Sequence, residues 1–147
     1  MTIGVGGSTM AAELAAMASM RGAVAPIDND ERNARLRQAQ GLMAEQGVDA
    51  LYLVASTSCY YFTGMRLRPS ERLHGAILTA DGELTYLCPT FEAEKTAQMM
   101  VLPGDMRTWE EHEDPTALVV DTLRSRGIDG GTLAVDETTP FFTFDAL

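Results

Sequence analysis

The 147-residue chain has the length of one domain, and 46% of its residues are hydrophobic, which is enough to form a buried core. Its 11 Lys plus Arg against 21 Asp plus Glu give a formal net charge of −10, which argues against nucleic-acid backbones and anionic membranes as partners. No apolar run approaches the roughly 20 residues of a membrane helix. Cys59 and Cys88 lack metal-ligand spacing and are too few for a disulfide framework, so we expect buried, reduced thiols in a cytoplasmic protein.

The N-terminal stretch is rich in Ala and Met but does not resemble a secretory signal. Its first nine residues contain no Lys or Arg, and Glu13 interrupts the apolar run. Ser8 or Thr9 can cap a short surface helix. Its apolar face would carry Met10, Leu14 and Met17. We therefore predict an N-terminal helix and connector over residues 1–27, followed by one domain over residues 28–147.

Residues 28–47 predict the first long helix. Asp28 can cap it with Glu31 as the capping-box partner, and Gly47 is a typical end. One face carries apolar residues at helical spacing, Leu36, Ala39 and Met43. The apolar run 48–56 fits a strand buried on both faces, as found in parallel or mixed sheets.

The sequence CYYFTG at residues 59–64 follows this strand. Three successive aromatic side chains do not suit a half-buried strand, because alternation would place one of them in water. Gly64 indicates a turn directly afterwards, so we place the aromatics just past the carboxyl end of the strand. Residues 65–74 are polar and basic and predict a loop.

The second half of the chain alternates strands and helices. Two apolar runs within 75–89 flank Asp81 and Gly82, a pair typical of a type I′ hairpin turn. The later elements are a helix from Thr90, as its cap, to Pro103-Gly104; a strand at 106–111; a helix from Asp114-Pro115 to Gly127; and a strand at 132–137. This order predicts an α/β layer fold whose sheet is mixed, because the hairpin is antiparallel.

The chain ends in TPFFTFDAL, residues 139–147, with three Phe residues and no predicted closing element. We expect such an apolar tail to dock onto another structure. The sequence therefore suggests a piece of a longer chain.

Few motifs in the sequence indicate chemistry. HExxH, GxSxG, GxGxxG and P-loop patterns are absent. His112 lies among Glu110, Glu111, Glu113 and Asp114, which could form a metal or acid–base cluster. Because consecutive side chains point in different directions, we favour an exposed acidic turn before a helix.

The loop 65–74 contains a second polar group, formed by Ser70, Glu71, Arg72 and His74, with Arg66 and Arg68 nearby. A pair of arginines can bind a carboxylate through two parallel hydrogen bonds. The alternative is a solvated loop. Composition and spacing alone leave the function open.

Several segments taken together resemble one family. They are MAEQGVDALYLVAS, YYFTG, ERLHGAILTADGELTYLCP and LAVDE, and their order and spacing are similar to those of the creatinase/prolidase N-terminal domain. The resemblance covers residues 30–147. That family includes proline dipeptidases, Xaa-Pro aminopeptidases and creatine amidinohydrolase.

The resemblance implies a ribonuclease-H-like α/β domain, with a mixed sheet of about five or six strands and helices on both sides. It also implies a C-terminal "pita-bread" domain in which two Asp, one His and two Glu hold two divalent metals, Mn, Co or Zn. None of those ligands maps onto this sequence. We therefore expect no catalytic residue and no metal or other cofactor in the chain, which would be inactive alone and would form a homodimer.

In such enzymes the N-terminal domain can line a neighbouring active site. The resemblance therefore suggests a set of substrate-pocket candidates: Tyr60, Tyr61, Phe62, Arg72, His74 and His112. The alternative for Tyr61 or Phe62 is packing in the core. Tyr60 and Arg72 are favoured for the pocket, because the polar end of each side chain does not suit a hydrophobic core.

The function implied by this resemblance is cleavage before proline in short peptides by the parent protein, with this domain serving dimerisation and substrate gating. One alternative is the same domain in a creatine amidinohydrolase-like enzyme or a lyase. Another is a non-enzymatic peptide-binding module.

Overall fold

The computed structural model describes residues 6–147, so the first five residues of the predicted N-terminal segment lie outside it. Its described helices are α1 (Met10–Ala16), α2 (Asn29–Gln46), α3 (Thr57–Thr63), α4 (Ala93–Met99), α5 (Pro115–Ser125) and α6 (Phe141–Ala146). Its described strands are β1 (Ala50–Val54), β2 (Gly75–Thr79), β3 (Leu84–Pro89), β4 (Asp105–Trp109) and β5 (Leu133–Val135). No helix in this range is long and apolar enough to cross a membrane.

The strands form one mixed sheet in the order β4-β3-β2-β1-β5. β2 pairs antiparallel with both β1 and β3, whereas β5 is parallel to β1 and β4 is parallel to β3. The chain passes from β3 to the parallel strand β4 through α4, whereas α5 carries it from β4 at one edge of the sheet to β5 at the opposite edge. The predicted α/β fold with a mixed sheet is confirmed.

Apolar side chains cover both faces of the sheet. On one face Leu36 and Met43 of α2 pack with Leu53 of β1. On the other face Val119 and Leu123 of α5 belong to the second buried cluster. The central strands β2 and β3 are buried along their whole length, as expected for strands between two helical layers.

The long helix α2 begins and ends largely as predicted. The Asp28 carboxylate accepts a hydrogen bond from the Glu31 backbone N–H at 2.9 Å, and Gly47 ends the helix with φ of 67°. The Glu31 carboxylate pairs with Arg35 on the next turn. It is therefore engaged on the helix surface, and the predicted capping box is present only in its Asp28 half.

The β2–β3 turn differs from the predicted type I′ turn. That turn needs positive φ at both central residues, but of Asp81 and Gly82 only Gly82 has it, with φ of 114°. The Thr79 N–H donates to the Glu83 carbonyl at 2.9 Å, which leaves a three-residue loop. The type I′ prediction is wrong, because Gly82 alone absorbs the left-handed conformation in a longer loop.

Thr90 does not cap α4, contrary to the prediction. Its hydroxyl donates to the Trp109 carbonyl at 3.1 Å, and a 3₁₀ turn over Thr90–Glu92 precedes α4. The hydroxyl therefore links the end of β3 to the end of β4.

The aromatic stretch after β1 forms the short helix α3. Ser56 caps it by accepting a hydrogen bond from the Cys59 N–H at 3.1 Å, and Gly64 ends it with φ of 76°. The aromatics do lie just past the carboxyl end of β1, as predicted. The sequence predicts no helix here, and the seven residues of α3 span only two turns.

Each end of the described chain carries a short helix with exposed apolar side chains. Thr9 caps α1 through the Ala12 N–H at 3.2 Å, and α1 contains no buried residue. The tail forms α6, so the expectation of no closing element is wrong. Phe141, Phe142 and Phe144 of α6 are exposed, and docking of this tail stays a prediction.

Candidate binding groove

Two adjoining open cavities lie along the loop that follows α3, and both are bordered by Arg66, Leu67 and Pro69. Their volumes are about 380 Å³ and about 220 Å³. We call these two cavities together the loop groove. Its remaining lining residues are Ser56, Thr57, Tyr60, Arg68, Ser70, His74, Glu92, Lys95 and Met99.

The loop leaves α3 along a tightly constrained path. A Cβ at Gly64 would lie 2.5 Å from the Arg32 Nε and 3.0 Å from the Val101 Cβ, so the chain passes directly against its neighbours there. The Thr63 hydroxyl accepts a hydrogen bond from the Met65 N–H at 3.1 Å, and Met65 is fully buried. The base of the loop is thus anchored, while Arg66 and Arg68 remain exposed.

His74 lines the larger cavity of the loop groove and is buried. Its Nδ1 is 3.0 Å from a Glu92 oxygen, and its Nε2 is 3.0 Å from the Thr96 hydroxyl. Burial lowers the pKa of His74 and outweighs the Glu92 carboxylate, which raises it. A neutral imidazole that donates to Glu92 and accepts from Thr96 satisfies all of these groups.

Arg72 is engaged by the chain itself. Its Nε donates to one Glu111 oxygen at 2.8 Å and its Nη2 to the other at 3.3 Å. The guanidinium also lies 5.4 Å from the Phe91 ring centroid. These hydrogen bonds lower the pKa of the Glu111 carboxyl. The structure thus places Arg72 in a link between the loop and the turn after β4, outside the lining of the loop groove.

The three aromatic candidates face different surroundings. Tyr60 lines the smaller cavity, with the Arg66 guanidinium 5.1 Å from its ring centroid. Tyr61 stacks under Arg35 at 4.0 Å, and its carbonyl accepts a hydrogen bond from that arginine at 2.9 Å. Phe62 packs against the core and meets Tyr61 edge-on. Only Tyr60 of the three borders the loop groove.

His112 is exposed on the acidic turn and does not line the loop groove. The neighbouring acids form local hydrogen bonds: Glu113 accepts from the Glu110 N–H at 2.7 Å, and Asp114 caps α5. Within residues 6–147, no group of three or more His, Cys, Asp and Glu residues could hold a metal ion. The geometry matches the exposed-turn interpretation.

The cations of the loop groove were not all identified from the sequence. The sequence predicts Arg66 and Arg68 only as neighbours of the polar group in the loop, and it gives no prediction for Lys95. Within residues 6–147 neither arginine has a hydrogen-bonded or ion-paired partner, whereas the Lys95 ammonium lies 3.5 Å from Glu92. The i, i+3 spacing of Glu92 and Lys95 in a predicted helix was the available signal.

Both cysteines are buried free thiols, as predicted. Burial raises the pKa of Cys59 to about 11, although a hydrogen bond with Thr63 opposes that shift. Burial likewise raises the pKa of Cys88. Because the thiolate is the reactive form, neither side chain is activated as a nucleophile.

Asp136 joins the carboxyl ends of β5 and β1. It accepts hydrogen bonds from the Ser56 hydroxyl at 2.8 Å and the Thr138 N–H at 2.7 Å. Burial raises its pKa, but the hydrogen bonds from Thr138, Ser56 and Ser58 outweigh burial and hold the pKa below its usual value. Asp136, the Asp of the LAVDE segment, is therefore held in place by hydrogen bonds within this chain.

The structure is an α/β domain with an open groove beside the loop that follows α3. The chain belongs to the creatinase/prolidase N-terminal domain family, whose model matches residues 35–147. It is similar to an Xaa-Pro dipeptidase from Lactobacillus delbrueckii subsp. lactis, with 28% identity over 102 residues, covering 69% of this chain and 27% of that protein. It is also similar to an uncharacterized peptidase from Staphylococcus aureus strain USA300, with 30% identity over 90 residues, covering 61% and 25% of the two chains.

Solved structures show the same fold. A dipeptidase from Mycobacterium ulcerans matches with a TM-score of 0.72 and 25% identity, covering 84% of this chain and 34% of that chain. The N-terminal domain of an Xaa-Pro dipeptidase from Lactobacillus brevis matches with a TM-score of 0.69 and 22% identity, covering 77% and 84%. The chain thus spans about a quarter of the length of the curated relatives it matches.

Proposed function

We propose that this chain is the N-terminal, non-catalytic domain of a cytoplasmic, metal-dependent hydrolase of the Xaa-Pro dipeptidase type. The parent enzyme would cleave the bond before proline in short peptides. This domain would contribute to a homodimer interface and would wall the pocket that admits the substrate.

The observation that carries this proposal is the position of the loop groove. It lies just past the carboxyl end of β1, where α/β sheets tend to place ligand-binding residues. Its larger cavity, about 380 Å³, lies at the small end of the range for ligand pockets, roughly 300–1,000 Å³. Leu67, Pro69 and Met99 provide an apolar wall suited to a proline ring.

The metal ions of this proposal belong to a separate domain. The carboxylates and histidines of residues 6–147 do not gather into a group that could hold one. In a bound state, two divalent metals would activate a water molecule and polarise the scissile carbonyl. The role left to this chain is to bind, orient and select the peptide.

The test uses the gene product that contains this chain, assayed on Xaa-Pro dipeptides with Mn²⁺. Truncating Tyr60 to Ala removes a ring that borders the loop groove. We expect kcat/KM to fall about tenfold, which is about 1.4 kcal/mol of transition-state binding. Leu42→Ala is the control, because Leu42 is an exposed apolar residue on α2 outside the groove.

Two results would contradict the proposal. An inactive wild-type enzyme on Xaa-Pro dipeptides would remove the peptidase assignment and favour a creatine amidinohydrolase-like enzyme, a lyase or a binding module. An active wild type with an unaffected, folded Tyr60→Ala variant would limit this domain to assembly.

A further inference from the structure

We propose that Arg66 and Arg68 bind the terminal carboxylate of a short peptide in the loop groove. The inference rests on the proposed function for the identity of the ligand as a peptide. The anion site itself follows from the charges and partners of the residues around the groove.

The larger cavity is locally basic in an acidic chain. Its ionic lining consists of Arg66, Arg68 and Lys95 against the single carboxylate of Glu92, although the whole chain has a formal net charge of −10. Glu92 is already engaged by His74 at 3.0 Å and by Lys95 at 3.5 Å. The cationic groups that remain are the two arginines, so the electrostatic preference of this cavity is for an anion.

Arg72, in the same loop, shows how an arginine there meets a carboxylate. Its two nitrogens contact the two oxygens of Glu111 at 2.8 and 3.3 Å, the forked geometry that matches guanidinium to carboxylate. Within residues 6–147, Arg66 and Arg68 have no such partner and both are exposed. A ligand carboxylate would accept hydrogen bonds from these two arginines, as the Glu111 carboxylate does from Arg72.

The Arg66 side chain is also held in position without a ligand. Its guanidinium lies 5.1 Å from the Tyr60 ring centroid, a cation–π contact that restrains the side chain while its N–H groups stay available at the edge. Such restraint lowers the entropy lost on binding. Tyr60 therefore has a second role, as the support of the Arg66 side chain.

The apolar wall determines which anion fits. Leu67 and Met99 line the same cavity as the arginines, so a ligand with a carboxylate beside a compact apolar group satisfies both kinds of surface. The carboxyl end of a dipeptide such as Gly-Pro has this form. Inorganic phosphate would use the arginines but leave the apolar wall unoccupied.

The experiment measures binding of Gly-Pro, Gly-Pro amide and inorganic phosphate to the 147-residue chain by NMR titration at low salt. We expect Gly-Pro to bind at least about tenfold more tightly than the amide, because the amide lacks the charge. Binding should weaken with added salt. It should weaken by a similar factor in the double variant Arg66→Ala, Arg68→Ala, but not in Arg37→Ala, an exposed arginine of α2.

Equal affinity for Gly-Pro and its amide would overturn the inference without any variant, so a misfolded variant cannot obscure the result. Phosphate binding as tight as that of Gly-Pro would also overturn it, since the site would then be a general anion site. The proposed function is judged separately by the dipeptidase assay. An active enzyme whose isolated domain ignores the carboxylate refutes this inference alone, and carboxylate-selective binding with an inactive enzyme refutes the peptidase assignment alone.

Discussion

Three basic residues of one loop have different environments although they are close in sequence. Arg66 is exposed beside Tyr60, Arg72 is paired with Glu111, and His74 is buried between Glu92 and Thr96. Burial and partner, rather than residue type, decide what each side chain can do. Of these three, Arg66 keeps hydrogen-bond donors for a ligand, as Arg68 of the same loop does, and His74 holds Glu92 in place.

The buried histidine makes the stability of the domain dependent on pH. An unfolded histidine has a pKa of about 6.5, and burial lowers that of His74 in the folded protein despite the nearby Glu92, with Lys95 lowering it further. As pH falls through the unfolded value, the unfolded chain takes up a proton first. The free energy of unfolding therefore decreases until the pH falls below the folded pKa.

We expect His74→Gln to lose this part of the pH dependence. The measurement is urea unfolding between about pH 7.5 and about pH 5.5, a window above the pKa of most carboxyl groups. His112→Gln is the matched control, because it makes the same replacement at an exposed histidine, and the slope of the His74 variant is compared with it. Identical slopes for the wild type and the His74 variant would show that His74 does not titrate as described.

At the scale of the elements, strands β1 and β2 approach each other closely at Gly75. Gly75 opens β2 opposite Val54, and a Cβ there would lie 2.1 Å from the Leu53 carbonyl oxygen. The strand cannot move away easily, because β2 is paired on both sides. Glycine is required at this position by the close approach of two backbones.

We expect Gly75→Ala to lower the free energy of unfolding by about 1–3 kcal/mol, the usual cost of overpacking. The comparison variant is Gly41→Ala in the middle of α2, where a Cβ would have no neighbour within 4 Å. That change should raise stability by roughly 0.5–1 kcal/mol through helix propensity. Urea unfolding of both variants measures the two effects, and a neutral Gly75→Ala would contradict the described strand approach.

At the scale of the whole molecule, the N-terminal part of the described chain contributes little to the packed core. α1 buries no residue, and the residues from 6 to 31 are exposed or half-buried at most. A contact that crosses this boundary is the hydrogen bond from Arg32 to the Ile27 carbonyl at 2.9 Å. The C-terminal helix differs, since Thr143 is buried and Leu147 packs against the core.

We expect a chain that begins at Ile27 to keep its fold, with Tm changed by less than about 4 °C, or about 1 kcal/mol. Removal of residues 141–147 should lower Tm by more than this, because it exposes apolar surface on the α5 side of the sheet. Thermal unfolding of the two shortened chains tests both statements. A large loss of Tm in the chain beginning at Ile27 would show that the N-terminal segment is part of the folded unit.

Much of the architecture was predictable from local patterns. The cap at Asp28, the apolar face of α2, the Asp114-Pro115 start of α5 and the apolar strands each rest on residues close in sequence, so short-range rules suffice. The failures occur where a distant partner decides. Thr90 bonds to Trp109 instead of capping a helix, and Arg72 bonds to Glu111 from another turn.

The candidate site likewise separates features that local patterns predict from features that depend on distant residues. The sequence alone determined the α/β class, the mixed sheet and the family resemblance, because periodicity, turn residues and motif order are properties of neighbouring positions. Tertiary packing placed Tyr60 at the border of a groove while Tyr61 stacks on Arg35. It likewise brought Lys95 and Met99 to the loop of Arg66. Which side chains share a cavity depends on how distant elements pack, and no local pattern encodes those distances.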